Sequence, residues 1–290
     1  MKLIVKFNLV FLLLFFLAVV ACGYVSRELL QKNAREEIAE SARLLMANAL
    51  AVRAYTSTQI KPLLDTQMKY TFLPQSVPAY SATQVFHKLR EHYPEYSYKE
   101  AMSNPTNPND KAKDWEQDLI NHFNNDARTS EVFGERDTPD GKVLYFARPL
   151  KISDPSCLQC HSTVDVAPRT MVEAYGPANG FGWKVNDIVG AQVVSVPTAV
   201  PLARAQAAFK TFMLSLVGVL VAIAVVLNLL LWWMFIRPVT KISALADRVS
   251  MGDLEAPDFV VRSHDEIRTL SESLARLRKS LVLAMQEYSR

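Results

Sequence analysis

Five consecutive residues, Cys157-Leu158-Gln159-Cys160-His161, could carry chemistry through their types and spacing. Two thiols separated by two residues can form thioether bonds with the two vinyl groups on one edge of a haem, and the adjacent imidazole can then bind the iron axially. Because the 290 residues include only three cysteines and five histidines, chance would place this pattern in about four of ten thousand such chains. The motif therefore predicts one covalent haem c, with Cys157 and Cys160 as thioether sites and His161 as an axial ligand of the iron.

Three other interpretations of this motif remain open at the level of the sequence. Cys157 and Cys160 could form a small disulfide loop with His161 as a bystander. A structural zinc site is less favoured, because it takes four Cys or His ligands and this segment offers three. A thioredoxin-like redox pair needs the two cysteines at the start of a helix after a strand, and Pro155 and Ser156 do follow a predicted strand.

The residue that takes the sixth position on the iron is not identified by the motif. The possible donors outside the membrane are His87, His92, His122, Met46, Met68, Met102 and Tyr55. A strong protein ligand favours redox sensing, whereas an open or weakly held position would allow NO, CO or O₂ to bind.

Two charge-free apolar stretches, Leu9 to Val25 and Phe212 to Ile236, indicate a membrane protein. The second matches the ~20 apolar residues that a bilayer core requires. Asn228 is a polar exception within it, and we expect its side chain to hydrogen-bond to a neighbouring helix.

Lysines and arginines at the two outer ends of these stretches predict the topology. Lys2 and Lys6 precede the first stretch, and Arg237 and Lys241 follow the second, so the positive-inside bias places both ends of the chain in the cytoplasm. The segment between them is then periplasmic, in a bacterial inner-membrane protein. The net charge of +3 shows no clustered basic stripe, so nucleic-acid binding is disfavoured.

The first apolar stretch has a second interpretation as a cleavable signal. Val19-Val20-Ala21-Cys22 loosely resembles a lipoprotein cleavage site, which would leave Cys22 lipidated. We favour an uncleaved anchor, because the apolar run continues through Gly23, Tyr24 and Val25 directly into an amphipathic helix without a flexible tether.

Hydrophobic periodicity predicts the elements that must position the motif. From Arg27 to about Thr58, apolar residues recur three and four apart, which predicts a long amphipathic helix that leaves the membrane. Beyond it we predict helices over Ala82 to His92 and Ala112 to Asn124, and extended segments over Tyr96 to Met102, Ser130 to Arg136, Val143 to Ile152 and Ile188 to Val196. Asp140-Gly141 is a strong hairpin signal between two of them. Helices beside a small antiparallel sheet predict an α+β sensor module of PAS type.

The segment from about Ser41 to Val200 resembles the periplasmic haem-binding sensor family with a PAS-like fold, once known only as a domain of unknown function. The stretches that carry the resemblance are Arg53-Ala54-Tyr55-Thr56, Lys61-Pro62-Leu63-Leu64, Asn104-Pro105-Thr106-Asn107-Pro108, Asp114-Trp115-Glu116 and the Cys157 to His161 motif. The resemblance implies that His161 is an axial ligand. Some members supply a Cys from the first helix on the other side of the haem. This chain departs there, with Tyr55 or Thr56 near that place, which makes Tyr55 a candidate distal ligand or pocket hydrogen bonder.

Beyond the second apolar stretch the chain resembles a HAMP linker, the dimeric four-helix signal relay of bacterial receptors. Arg237-Pro238 opens it, and its first seam consists of Ile242, Leu245 and Val249. Met251-Gly252-Asp253-Leu254 starts the connector, His264 belongs to it, and Asp265-Glu266 opens a second helix whose seam consists of Ile267, Leu270, Leu274, Leu277 and Leu281. Two short heptad helices joined in this way need a second copy to bury their seams, which predicts a homodimer.

These features together predict a homodimeric, membrane-bound haem c sensor of redox state or of a diatomic gas. Its domains would be an anchor at 1–25, a periplasmic PAS-like domain at 26–211, a transmembrane helix at 212–236 and a HAMP linker at 237–290. We expect no enzymatic activity, and we expect an unidentified cytoplasmic partner to read the HAMP helices. A membrane-tethered monohaem cytochrome for electron transfer and a haem-free sensor of a small organic ligand are the alternatives.

Overall fold

The computed structural model describes residues 3–139, 141–253, 257 and 265–288. The chain divides into two compact units, one formed by Arg27–Phe209 and the other by Met1–Ser26 together with Lys210–Arg290. The first unit contains the motif, and the second contains the apolar stretches and the C-terminal helices.

A long helix, α1 (Leu3–Tyr55), runs without interruption from the first apolar stretch into the motif-bearing unit. A π-helical turn, Thr56–Ile60, follows it and leads into α2 (Lys61–Met68). Single π-helical turns within helices occur often at functional sites. The remaining helices of this unit are α3 (Pro78–Arg90), α4 (Asp114–Asn125), α5 (Leu158–His161) and α6 (Arg169–Tyr175).

Four antiparallel strands form one sheet in the order β1-β4-β3-β2. The strands are β1 (Ser97–Met102), β2 (Val132–Thr138), β3 (Gly141–Lys151) and β4 (Ile188–Pro197). Strands β2 and β3 pair as a hairpin in which Thr138 lies opposite Gly141, as the hairpin signal predicts. Asp140, the other residue of that signal, lies outside the described residues. The mixed α and β class is confirmed, and the PAS-like assignment stays a prediction.

The sheet has an apolar core on each face. On one face, α1 and α3 pack against it, with Met46, Phe86 and Phe146 among the buried residues. On the other face, α4 contributes Leu119 and Phe123, which pack against the sheet. Because side chains alternate along a strand, neighbouring residues of β4 serve opposite cores.

The predicted elements are present with shifted ends. Helix α3 begins at Pro78 and not at Ala82, because proline fits the first turn of a helix, where its missing N–H has no partner to lose. The first extended segment begins at Ser97, and the helix that was expected from Ala112 begins at Asp114. Helices α2, α5 and α6 were not predicted, since none has a long enough periodic pattern.

Helices in the second unit are apolar enough to cross a membrane. The charge-poor windows lie within Ile4–Met68 and Ala199–Ser250, and the second range contains α7 (Ala199–Leu231) and a π-helical turn, Trp232–Ile236. The Asn228 side chain exchanges two hydrogen bonds with Asn8, at 2.8 and 2.9 Å. The expected bond between neighbouring helices is therefore confirmed, and its partner is another asparagine, which directly precedes the first apolar stretch.

Two C-terminal helices, α8 (Arg237–Ser250) and α9 (Glu266–Tyr288), pack along part of the predicted seam. Ile242 and Val249 are buried against residues that include Leu245, Ile267 and Leu274. The other predicted seam residues of α9, Leu270, Leu277 and Leu281, are 43 to 59% exposed. Leu254 and His264 of the expected connector lie outside the described residues.

Candidate functional site

The backbone after β3 turns into a short helix that holds the two motif thiols on one side. The Asp154 carboxylate accepts a hydrogen bond from the Ser156 N–H at 2.8 Å, and a 3₁₀ turn over Pro155–Cys157 then leads into α5. Residues three apart on a helix lie on the same face. Cys157 and Cys160 therefore face the same way, and His161 comes directly after them.

Both motif cysteines are free thiols and are half-buried. Burial raises the pKa of the Cys157 thiol, and Asp154 raises it further, against smaller opposing effects of Arg53 and Lys61. The pKa of Cys160 is likewise raised by burial. The two sulfurs are consequently neutral thiols near pH 7, and both side chains are partly exposed.

The His161 ring is held by a hydrogen bond and by a stacking contact. Its Nδ1 lies 2.7 Å from the carbonyl oxygen of Gly180, and its ring stacks on Trp183 with centroids 3.9 Å apart and planes inclined by 15°. The backbone N–H of Trp183 donates a hydrogen bond to the backbone carbonyl of His161 at 3.1 Å. Burial lowers the pKa of His161, although the bond to Gly180 acts in the opposite direction. A neutral imidazole that donates from Nδ1 keeps the lone pair of Nε2, which is the tautomer an axial metal ligand requires.

Gly180 occupies a position that only glycine accommodates. Its φ is +85°, and a Cβ atom there would lie 1.9 Å from Thr106 Oγ1 and 2.9 Å from the Thr106 backbone nitrogen. The Thr106 hydroxyl is buried and has no hydrogen-bond partner among the residues that the structure describes. The loop Asn104-Pro105-Thr106-Asn107-Pro108 thus packs against the residue that orients His161. Sequence reasoning singled out this loop but found neither Gly180 nor Trp183, since both lie about twenty residues beyond the motif and carry no spacing signal.

The end of α1 lies beside the attachment motif. Lys61 Nζ is 3.5 Å from the side-chain oxygen of Gln159, which stands between the two motif cysteines. Arg53 faces inward and forms an ion pair with the buried Glu100. Thr56, the first residue of the π-helical turn, is also buried, and its hydroxyl donates to the Val52 carbonyl at 2.9 Å.

Tyr55, the sequence candidate for the distal side, has a different placement from Thr56. Its side chain is 59% exposed, so it lies on the outer face of α1. The role of Tyr55 as a distal ligand stays a prediction, and the structure turns Thr56 inward at that end of α1.

The other distal candidates are dispersed over the unit. The three histidines, His87, His92 and His122, are exposed at the surface. Met46 belongs to α1 and is buried in the core between α1 and the sheet. The sulfur of Met68 accepts hydrogen bonds from the Leu73 N–H and the Ser76 hydroxyl, whereas Met102 is buried at the end of β1.

The side chains present fit covalent attachment of a haem. Two free thiols lie on one face of one helical turn, and the adjacent imidazole is neutral, oriented and hydrogen-bonded through Nδ1 to Gly180. A hydrogen bond from a ligating histidine to a backbone carbonyl is the usual way in which proteins fix the tautomer and orientation of such a ligand.

Comparison with known proteins decides the family. The model of the Tll0287-like family matches residues 31–197, which include β1 to β4 and the whole attachment motif. The chain belongs to the Tll0287-like family. A HAMP domain model matches residues 230–282, so the C-terminal helices of this Tll0287-like protein belong to a HAMP domain.

A search of solved structures found one similar chain, described as the crystal structure of the cyanobacterial haem protein Tll0287. The identity is 16% and the TM-score is 0.38, over 52% of this chain and 94% of that one. No curated protein matches the chain. The two family models confirm the expected membership of a haem-protein family and the HAMP linker, whereas the c-type haem, the PAS-like fold and the periplasmic location stay predictions.

Proposed function

We propose that this Tll0287-like protein is a membrane-bound haem c sensor that detects redox state or a diatomic gas outside the cytoplasm and signals through its HAMP domain. The observation that carries the proposal is the oriented His161, bonded through Nδ1 to Gly180, directly after two thiols on one helical face. That donor set suits a porphyrin iron better than a zinc ion, which takes four Cys or His ligands. The description of Tll0287, after which the family is named, as a haem protein agrees with it.

Cys157 and Cys160 would hold the haem through thioether bonds, and Nε2 of His161 would bind its iron. When bound, the haem supplies an iron that can change oxidation state or take a diatomic ligand. The protein's part is to keep the imidazole neutral, which burial achieves, and fixed in rotation, which Gly180 and Trp183 achieve from two sides. Thr56 supplies a hydroxyl rather than a thiol to the buried face of α1, which favours a distal side without a strong ligand.

The arrangement of the chain agrees with signalling across a membrane. The two apolar helices flank the haem-binding unit in sequence, and the HAMP domain follows the second of them. HAMP domains occur typically in dimeric signalling proteins. The exposed leucines of α9, which the packing of α8 leaves uncovered, would pack against a second copy in a four-helix bundle. The periplasmic location and the inner membrane remain part of the proposal, on the strength of the lysines and arginines at the ends of the apolar stretches.

Haem content tests the first part of the proposal. The full-length chain is produced with a haem c maturation system, purified in detergent and treated with alkaline pyridine. We expect a c-type haemochrome spectrum with one haem per chain, which the double variant Cys157→Ala/Cys160→Ala lacks. Cys22→Ser is the matched control, because Cys22 is an exposed cysteine far from the motif in sequence, and it should keep full haem content. A colourless wild-type protein would refute the assignment.

Ligation of the iron tests the second part. A sensor should change its absorption spectrum on reduction or on addition of CO or NO in a way that indicates a change of axial ligand. Iron that stays six-coordinate in both oxidation states, together with rapid electron exchange with a soluble cytochrome, would instead identify an electron carrier.

A further inference from the structure

A buried polar cluster lies between α1 and the sheet, within an otherwise apolar core. Arg53 of α1 forms an ion pair with Glu100 of β1. The Tyr98 hydroxyl donates to Glu100 Oε1 at 2.7 Å, and Gln192 Nε2 of β4 donates to the Tyr98 oxygen at 3.1 Å. Glu100 is 1% exposed, so its charge is almost completely withdrawn from water.

Burying this ion pair between α1 and the sheet has a large desolvation penalty. Taking a carboxylate and a guanidinium out of water costs several kcal/mol per ion, and well-packed apolar residues often stabilise a fold equally well in their place. The guanidinium is kept charged: burial alone would lower the pKa of Arg53, but Glu100 and Tyr98 outweigh it and raise the pKa above its ordinary value. Burial and the neighbouring Glu100 also hold the pKa of Tyr98 far above its usual range, so the phenol stays a donor.

The position of Arg53 connects the cluster to the attachment motif. Arg53 lies in the last turn of α1, and Lys61, just beyond the π-helical turn, contacts Gln159 between the two motif cysteines. The electrostatic influence of Arg53 also reaches the Cys157 thiol. A charge that appears on a group attached at Cys157 therefore acts on Arg53 across a water-poor interior, where charges interact more strongly than in bulk solvent.

We propose that the Arg53–Glu100 pair sets the reduction potential of the haem, and that Arg53 is the positioning residue through which a change in the charge of the iron acts on α1. The inference rests on the proposed function, since it requires a haem attached at Cys157 and Cys160. One-electron reduction by an external donor removes one positive charge from the haem. The guanidinium of Arg53 favours the reduced state, and the carboxylate of Glu100 favours the oxidised state.

A matched control pair exists on the same strand. Lys99 pairs with Glu116 at 2.7 Å, and the exposed fractions of these side chains are 25% and 5%, against 23% and 1% for Arg53 and Glu100. Because neighbouring residues of a strand face opposite sides of the sheet, the Lys99–Glu116 pair lies on the face that α4 covers. It matches the first pair in chemistry and burial but faces away from α1.

The test is a spectroelectrochemical titration of the full-length, haem-loaded protein in detergent with soluble one-electron mediators. Arg53→Gln should lower the midpoint potential of the haem, and Glu100→Gln should raise it. In each variant the oxidised-to-reduced ratio at a fixed potential should change at least threefold, which corresponds to about 28 mV for one electron. Arg53→Lys should stay closer to the wild-type potential than Arg53→Gln, since it keeps the charge. Lys99→Gln and Glu116→Gln should each shift the ratio by less than threefold.

The outcomes separate this inference from the function on which it rests. Wild-type protein without haem would overturn both. If the wild type carries haem but the midpoint potentials of Arg53→Gln and Glu100→Gln shift in the same direction, or do not shift, the inference alone is overturned. A purely structural role of the pair gives no reason for shifts of opposite sign. If one single variant does not fold, the double variant Arg53→Gln/Glu100→Gln replaces it, since no buried charge is then unpaired. Its potential must lie below that of Glu100→Gln where Glu100→Gln is the single variant that folds, or above that of Arg53→Gln where Arg53→Gln is the one that folds, and the reverse order contradicts the proposal.

Discussion

Asp110 should make the motif-bearing unit, Arg27–Phe209, less stable as the pH rises from about 4 to 6. The residue ends a short 3₁₀ turn after the Asn104–Pro108 loop. Burial, reinforced by the negative charge of Glu100, raises its pKa to about 6 from an ordinary value of 3.8, although Lys99 and Asn107 act in the opposite direction. The folded state therefore binds the proton more tightly than the unfolded state, and ionisation of Asp110 at higher pH opposes folding.

The magnitude follows from the difference between the two pKa values. The rise of the pKa from 3.8 to about 6 corresponds to about 3 kcal/mol when Asp110 is fully ionised, and to about 1 kcal/mol at pH 4.5. These are upper limits, because solvent screens a carboxylate that is only partly buried. Asp110→Asn, which cannot ionise, should stabilise the fold by up to about 3 kcal/mol at pH 7.5 and by about 2 kcal/mol less at pH 4.5.

Hydrogen exchange followed by mass spectrometry measures this effect within the intact protein in detergent. Peptides that cover β4, residues 188–197, report opening of the sheet, and variant and wild type are compared at the same pH. Asp126→Asn is a control of opposite sign: hydrogen bonds from Thr129 and from the Arg128 N–H lower the pKa of Asp126, so its loss should destabilise the fold near neutral pH. A gain from Asp110→Asn that is equal at both pH values, or larger at pH 4.5, would refute the reasoning.

Three further predictions concern other contacts. Gly180→Ala should reduce haem content at least threefold, whereas Gly182→Ala, which has a similar φ of +84° but open space around it, should reduce it less; equal losses would mean that backbone strain alone decides. Trp183→Leu should alter the electron paramagnetic resonance spectrum of the oxidised haem at unchanged haem content, because the His161 imidazole loses the aromatic ring on which it stacks and that restricts its rotation. Identical spectra of variant and wild type would contradict this role of Trp183. Ala substitutions of Asn8 and Asn228 in a double-mutant cycle should show a coupling of about 0.6 to 1.7 kcal/mol in unfolding experiments in detergent; additive effects would show that the two amides do not interact.

Local sequence patterns predicted most of the elements and the attachment motif. The spacing of apolar residues identified the long first helix and α4, and the Asp140-Gly141 hairpin signal identified the two strands that became β2 and β3. Helix α5 was missed because four residues are too few to show a period. The end of α1 shows the limit clearly. The sequence had Tyr55 or Thr56 near the distal place and favoured Tyr55, but a π-helical turn begins there, and of the two only Thr56 is buried.

The amino-acid sequence by itself determined that the Cys157 and Cys160 thiols and the His161 imidazole lie close together, because residues so near along the chain stay close in any fold. Only the tertiary structure decided how His161 is oriented, since a segment of about twenty residues that includes α6 separates it from Gly180 and Trp183. The same holds for Arg53 and Glu100, which are 47 positions apart in the chain. Their pairing depends on how α1 packs on the sheet, and packing between distant segments is set by the whole core and not by any local spacing.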